Sequence, residues 1–257
     1  MCRFLAYAGS PIFLDTFIYS SSHSLVHQSL HATEAKTVTN GDGFGIGWYG
    51  EREEPGLYRE ILPAWSDDNL KSLTSQIRSR LHFGHVRAST GTALSRSNCH
   101  PFKFEHMLFM HNGQIGGFHQ IKREIEQLLP GALYDARSGA TDSELIFLLA
   151  LSHGLKEQPI TAMTTTLECL REMMARAGIS APLRFTSCFT DGDGLWAYRW
   201  ASDEHAPSLY FRRSHDGVIV VSEPVDGGEE DNWHPVPQSS CLFVKDGQIE
   251  VRPLAMH

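Results

Sequence analysis

The run Leu183-Arg184-Phe185-Thr186-Ser187-Cys188-Phe189-Thr190-Asp191-Gly192-Asp193-Gly194-Leu195-Trp196-Ala197-Tyr198 sets two short alternating segments on either side of Asp191-Gly192. Asp-Gly is a strong hairpin signal, because the favoured two-residue turn holds both central residues at positive φ. The dipeptide returns at Asp216-Gly217 and Asp246-Gly247, so the chain from Leu183 onward reads as a meander of short strands. Upstream the texture changes. Phe118, Ile121, Ile125 and Leu128 fall at helical spacing, and Ala162 to Arg176 reads as a further helix. Thr141 followed by Glu144 makes a capping box at the head of an apolar helix through Leu149. Before this block Ser66 opens a helix carrying Leu70, Leu73, Ile77 and Leu81. Strands are expected at the first apolar run, in the second half of Asn40 to Tyr49, and at His82 to Ala88 and His106 to His111. Strands, then helices, then strands argue for α+β rather than an alternating parallel fold. The expectation is a four-layer αββα sandwich, two mainly antiparallel sheets flanked by helices, in a single domain covering 1–257.

Bulk properties narrow the function. With 257 residues and 41% hydrophobic content the chain can bury a full core. A formal charge of -8 and the acidic stretch Glu229, Glu230, Asp231 argue against nucleic acid, whose phosphates call for clustered Lys and Arg. There is no basic leader with an apolar stretch behind it, and no window nears ~18 uninterrupted apolar residues, so no membrane role is expected. The five cysteines form an odd set without a C-x-x-C pair, which suits a reducing, cytoplasmic compartment.

Cys2 stands directly behind Met1. Once Met1 is removed, thiol and α-amino group share one residue, a nucleophile with its own base attached, since an α-amino group of pKa ~7.7 to 8.0 accepts a proton near neutrality. Elsewhere a cysteine heading a strand would simply be a small buried residue. In Phe83-Gly84-His85-Val86-Arg87-Ala88-Ser89-Thr90 a strand places His85, Arg87 and Ser89 on one face, and an Arg there can grip a carboxylate through two parallel bonds. A rim salt bridge is its plain alternative. His111-Asn112-Gly113 reads first as a hairpin turn, and alternatively as two convergent oxyanion donors, the Asn112 amide and the Gly113 N–H. Asp142 suits the dipole at a helix start and could equally hold a substrate ammonium. Ser222-Glu223-Pro224 reads as a strand terminus and turn. The glycines at 41, 43, 45 and 47 do not fit the dinucleotide pattern G-x-G-x-x-G. His23, His27 and His31 share a helical spacing without companion carboxylates or cysteines, so no metal or other cofactor is expected. Cys99 beside His100 offers a rival thiol, though neighbours on an extended chain point apart.

Taken in order, the Met-Cys start, Asn40 to Tyr49, Gly84 to Thr90, His111 to Ile115, Thr141 to Glu144 and Ser222 to Pro224 resemble a class II glutamine amidotransferase domain, one of the N-terminal nucleophile hydrolases. The resemblance implies the four-layer fold of that group. It also implies Cys2 as nucleophile on a γ-carboxamide, Arg87 on the substrate α-carboxylate, Asp142 on its α-ammonium, and Asn112 with Gly113 as the oxyanion site. A glutamyl thioester and its hydrolysis follow. Typical members begin Cys-Gly, whereas Arg3 follows here, and Cys-Arg-Phe-Leu-Ala-Tyr is more similar to the stand-alone branch of the bacterial YafJ proteins and EgtC hydrolases. No synthetase domain is expected in 257 residues, so ammonia would pass to water or to a separate synthetase subunit. The rival class is a non-catalytic module that binds glutamine-like ligands on the same scaffold.

Overall fold

The computed structural model describes residues 2–33, 39–89, 91, 93–226 and 232–256. Met1, Thr90 and the acidic stretch Glu229 to Asp231 lie outside the described residues. Two sheets form the centre, and every strand pair in them is antiparallel. The first runs β11 (His234–Pro235), β9 (Tyr210–Arg213), β10 (Gly217–Val221), β1 (Arg3–Phe13), β4 (Arg78–Val86), β2 (Phe44–Trp48) and β3 (Gly56–Glu60). The second runs β13 (Gln248–Pro253), β12 (Ser240–Lys245), β8 (Leu195–Ala201), β7 (Leu183–Thr190), β6 (Met107–Ile115) and β5 (Phe102–Phe104). All three Asp-Gly dipeptides sit at hairpins, joining β7 to β8, β9 to β10 and β12 to β13.

Alternation along the strands builds the layers. Phe4, Ala6, Leu81 and Phe83 of the first sheet meet Leu108, Met110, Cys188 and Ala197 of the second in one buried cluster between the sheets. Their neighbours Leu5, Tyr7, Ile46, Val86 and Ile219 turn outward onto α1 (Asp15–Ile18), α2 (Leu25–Leu30) and α3 (Asp68–Gln76) through Phe17, Ile18, Leu25 and Leu70. On the far side Phe109, Phe185, Phe189 and Tyr198 pack under α4 (Phe118–Leu128), α6 (Asp142–Ser152) and α7 (Pro159–Arg176), with α5 (Gly131–Ala136) beside α6. Residues Ser143 to Ala150 of α6 are all buried, as befits a helix apolar on every side. The αββα order is the expected one.

Local details differ. The expected helix from Ser66 begins at Asp68, because the Asp67 carboxylate caps it by accepting the Leu70 N–H at 2.7 Å. It ends at Gln76, and Leu81 belongs to β4. Thr141 caps α6 by accepting the Glu144 N–H, but the Glu144 carboxylate does not return to Thr141; it takes the N–H groups of Ser138 and Gly139 at 2.8 and 2.7 Å. That carboxylate ties down the loop leading into α6.

Candidate active site

Cys2, Ala88 and Asn112 converge where β1, β4 and β6 come together. Cys2 stands just ahead of β1 in phase with Phe4 and Ala6, on the side that faces the second sheet. Its half-buried Sγ accepts the Ala88 N–H at 3.3 Å. The Asn112 amide Nδ2 reaches across from the other sheet and donates to the Cys2 carbonyl at 2.9 Å. A carboxamide has two N–H donors, so one remains after this bond. Burial pushes the Cys2 thiol above its ordinary pKa, while the Ala88 N–H and the positive charge of Arg87 oppose that rise. At neutral pH the resting sulfur is therefore a thiol, which needs a base before it can attack.

Asn112-Gly113 is not a turn. The strand β6 continues through Ile115, with Asn112 opposite Thr186 and Gly113 opposite Phe185 on β7. Gly113 adopts φ of 138°, and a Cβ there would fall 1.9 Å from the Arg184 carbonyl oxygen. No other residue type fits that backbone without displacement.

The strand β4 ends at Val86, so Arg87 and Ser89 lie beyond the regular alternation. Arg87 is held by its backbone N–H to Gly43 O at 2.8 Å, and its guanidinium donates to Asp42 O and Ser89 Oγ, each at 3.3 Å. The Asp42 carboxylate accepts the Ser89 N–H at 2.7 Å, closing the clamp around a buried guanidinium. Gly43 permits this crossing, since at its φ of 112° a Cβ would sit 2.7 Å from Cys99 Sγ. The sequence marks Asp42 by nothing more than its place between two glycines.

Asp142 opens α6 next to the end of β6, where its Oδ2 accepts the Ile115 N–H at 2.9 Å and its Oδ1 the Ser143 N–H at 2.8 Å. Ser143 Oγ is 2.9 Å from His111 Nδ1, and the His111 ring stacks on Phe185. Ile115 is three residues beyond Asn112, so the strand itself links the carboxylate to the Cys2 contact.

His85 is wholly buried and lies behind these groups, its ring 4.1 Å from that of His100. Burial lowers its pKa to about 3, with the Arg87 charge adding to the fall, and it is neutral at pH 7. Cys99 is fully buried, its one S–H having the carbonyls of Glu60 at 3.4 Å and Ser95 at 3.5 Å as alternative acceptors, and burial raises its pKa as well. The three spaced histidines do not share one helix: His23 precedes α2 and bonds the Glu223 carboxylate at 2.6 Å. Ser222 and Glu223 are more than a turn, because both tie the first residues of β1 to the end of β10.

Residues 16–214 match the family model described as class II glutamine amidotransferases. The chain belongs to that family. Its matched segment begins beyond Cys2 and includes Arg87, Asn112, Gly113 and Asp142. A relative named probable glutamine amidotransferase DUG3, from Saccharomyces cerevisiae, is 31% identical over 99% of this chain and 84% of its own. The gamma-glutamyl-hercynylcysteine sulfoxide hydrolase of Mycolicibacterium smegmatis is 27% identical over 99% of this chain and its whole length. A solved class II glutamine aminotransferase domain protein from Silicibacter pomeroyi superposes with a TM-score of 0.79, at 36% identity, covering 99% of this chain and all of that one. The glutamine phosphoribosylpyrophosphate amidotransferase of B. subtilis shares the fold at 15% identity, with a TM-score of 0.68 over all of this chain and 50% of that one. The protein is thus an enzyme of the class II amidotransferase type, built on the N-terminal nucleophile fold. Among the described residues no helix is long and apolar enough to cross a membrane.

Proposed function

We propose that the protein hydrolyses the γ-amide of glutamine or of a γ-glutamyl compound, with Cys2 as nucleophile once Met1 is removed. The observation that carries this reading is the pairing of Cys2 with Asn112 across the two sheets, beside the Arg87 clamp. The freed α-amino group takes the thiol proton, and Sγ attacks the γ-carbonyl carbon. The second Asn112 N–H and the Gly113 N–H stabilise the oxyanion. The C–N bond then breaks, the α-amino group passes its proton to the leaving nitrogen, and ammonia or an amine departs. Water attacks the glutamyl thioester, the C–S bond breaks, and glutamate leaves with the thiol restored. Arg87 holds the α-carboxylate and Asp142 the α-ammonium, so the glutamyl half of the substrate is fixed at both charges. Ser89 orients the guanidinium, and His85 lies buried beside the site with its ring neutral.

The substrate is a small molecule with a γ-glutamyl group, the feature shared by glutamine and by the substrate in the Mycolicibacterium relative's name. The whole chain acts as one unit, either alone or supplying ammonia to a separate synthetase subunit. The test is glutamate release from a panel of γ-glutamyl amides, with intact mass recording the removal of Met1. Release by the wild type and its loss in Cys2→Ala support the reading; full activity in Cys2→Ala overturns it.

A further inference from the structure

A nucleophile that uses its own α-amino group as base can be held by the chain from one side only, and terminal residues fray unless tied down. Here the ladder between β1 and β10 reaches only to Leu5 opposite Val221. Beyond it one backbone bond continues the pairing, and side chains do the rest. Ser222 Oγ accepts the Phe4 N–H at 2.9 Å, while the Ser222 N–H donates to the Phe4 carbonyl at 3.0 Å. The next residue, Glu223, is 2% exposed and its Oε2 lies 3.3 Å from Nε of Arg3, itself 1% exposed. The other carboxylate oxygen gathers His23 Nε2 at 2.6 Å, Thr33 Oγ1 at 2.7 Å and the Thr33 N–H at 3.0 Å. Arg3 also donates to the Ser222 carbonyl at 3.5 Å.

We propose that Glu223, acting through Arg3, is a positioning residue for Cys2, fixing the backbone next to the nucleophile so that its carbonyl meets Asn112 and its sulfur meets Ala88. This rests on Cys2 being the nucleophile. Arg3 pairs with Val86 on the β4 side, so the residue is gripped along the ladder by β4 and through its side chain by Glu223. The guanidinium points to the helical layer, away from the cleft where Cys2 projects, so it bears on the reaction chiefly through the backbone, its charge being the weakest of the influences that hold the Cys2 thiol down. It also gives a physical reason for an arginine where typical members carry glycine: the grip needs a side chain long enough to reach a buried carboxylate. A buried ion pair of this kind adds little net stability but fixes one geometry, and an active site needs that.

The experiment uses the full chain, with removal of Met1 verified by intact mass, and compares wild type, Glu223→Gln, Arg3→Ala and Arg3→Lys. Steady-state kinetics on a γ-glutamyl amide are read beside the rate at which iodoacetamide alkylates Cys2, assigned by peptide mass. Glu223→Gln and Arg3→Ala should lower kcat by about 10²-fold with KM within about threefold, and both should shift the Cys2 alkylation rate. Arg3→Lys, which keeps the charge near Glu223, should recover part of each loss. If Glu223→Gln and Arg3→Ala do not fold, Arg3→Lys alone decides: lowered kcat at constant KM supports the proposal. Folded variants with wild-type kcat and alkylation rate, changed only in thermal midpoint, overturn it. Absence of glutamate release from the wild type would sink the catalytic reading instead, while the alkylation rates still report on positioning.

Discussion

Replacing Gly113 by alanine tests whether the oxyanion segment owes its shape to backbone that only glycine adopts. The new Cβ would meet Arg184 O at 1.9 Å, Arg184 C at 2.7 Å and His111 Nε2 at 2.8 Å. Two of these three atoms are backbone of β7, held in register from Leu183 to Thr190 against β6, so the contact cannot be relieved by rotating a side chain. An L-residue at positive φ costs about 1–3 kcal/mol, and relieving the overlap about as much again. The sum, about 2–6 kcal/mol, corresponds to a fall in thermal midpoint of roughly 4–24 °C for a chain of this size. Any relaxation that removes the clash moves Asn112, the neighbouring residue, away from the Cys2 carbonyl. A displaced oxyanion donor costs about 10²–10³ in kcat. Differential scanning fluorimetry and steady-state kinetics on the same preparation would therefore show both losses, with KM little changed. A Gly113→Ala protein with wild-type midpoint and kcat would refute the argument.

Asn112→Ala removes the bridge to the Cys2 carbonyl together with the remaining donor, and kcat should fall by about 10²-fold or more while the fold persists by circular dichroism. Arg87→Lys cannot reproduce the fork that donates to Asp42 and Ser89, and should act mainly as a rise in KM measured against the γ-glutamyl substrate. Burial holds both His82 and His85 at a pKa of about 3, and drives His100 well below its ordinary value. In the unfolded chain these residues take protons near pH 6.5, so the unfolded state binds more protons throughout the interval from 6.5 down to 3, and stability falls as pH falls across it. At pH 5 His82 and His85 together should withdraw about 4 kcal/mol, a large share of a domain's stability, read as a lower urea midpoint than at pH 7. Equal midpoints at the two pH values would contradict the neutral burial of these rings.

Features written in short range were legible in the sequence. The Asp-Gly turns, the spacing of Ile121 and Ile125 in α4, and the cap at Thr141 each depend on residues within a few positions of one another. The layer order followed from them. Where a choice depended on a distant partner, local signals misled. Asn112-Gly113 has the composition of a turn, and only its pairing with Thr186 and Phe185 makes it strand. The segment from Arg87 to Ser89 leaves the strand because Asp42 and Gly43, more than forty positions away, capture it. The capping-box glutamate spends its carboxylate on the preceding loop, whose Ser138 and Gly139 N–H groups lie within its reach. Glu223 read as part of a turn, since its partners Arg3, His23 and Thr33 lie about two hundred positions upstream. The candidate site residues were visible as residue types, while the contacts that orient them were not.

The most direct test of the central claim is to quench the wild-type protein in acid during turnover of a γ-glutamyl amide and map the peptides by mass. The expected product is a hydroxylamine-sensitive adduct of one glutamyl group on an N-terminal peptide that begins at Cys2. An adduct on Cys99, or turnover without any adduct while Met1 is still attached, would contradict it.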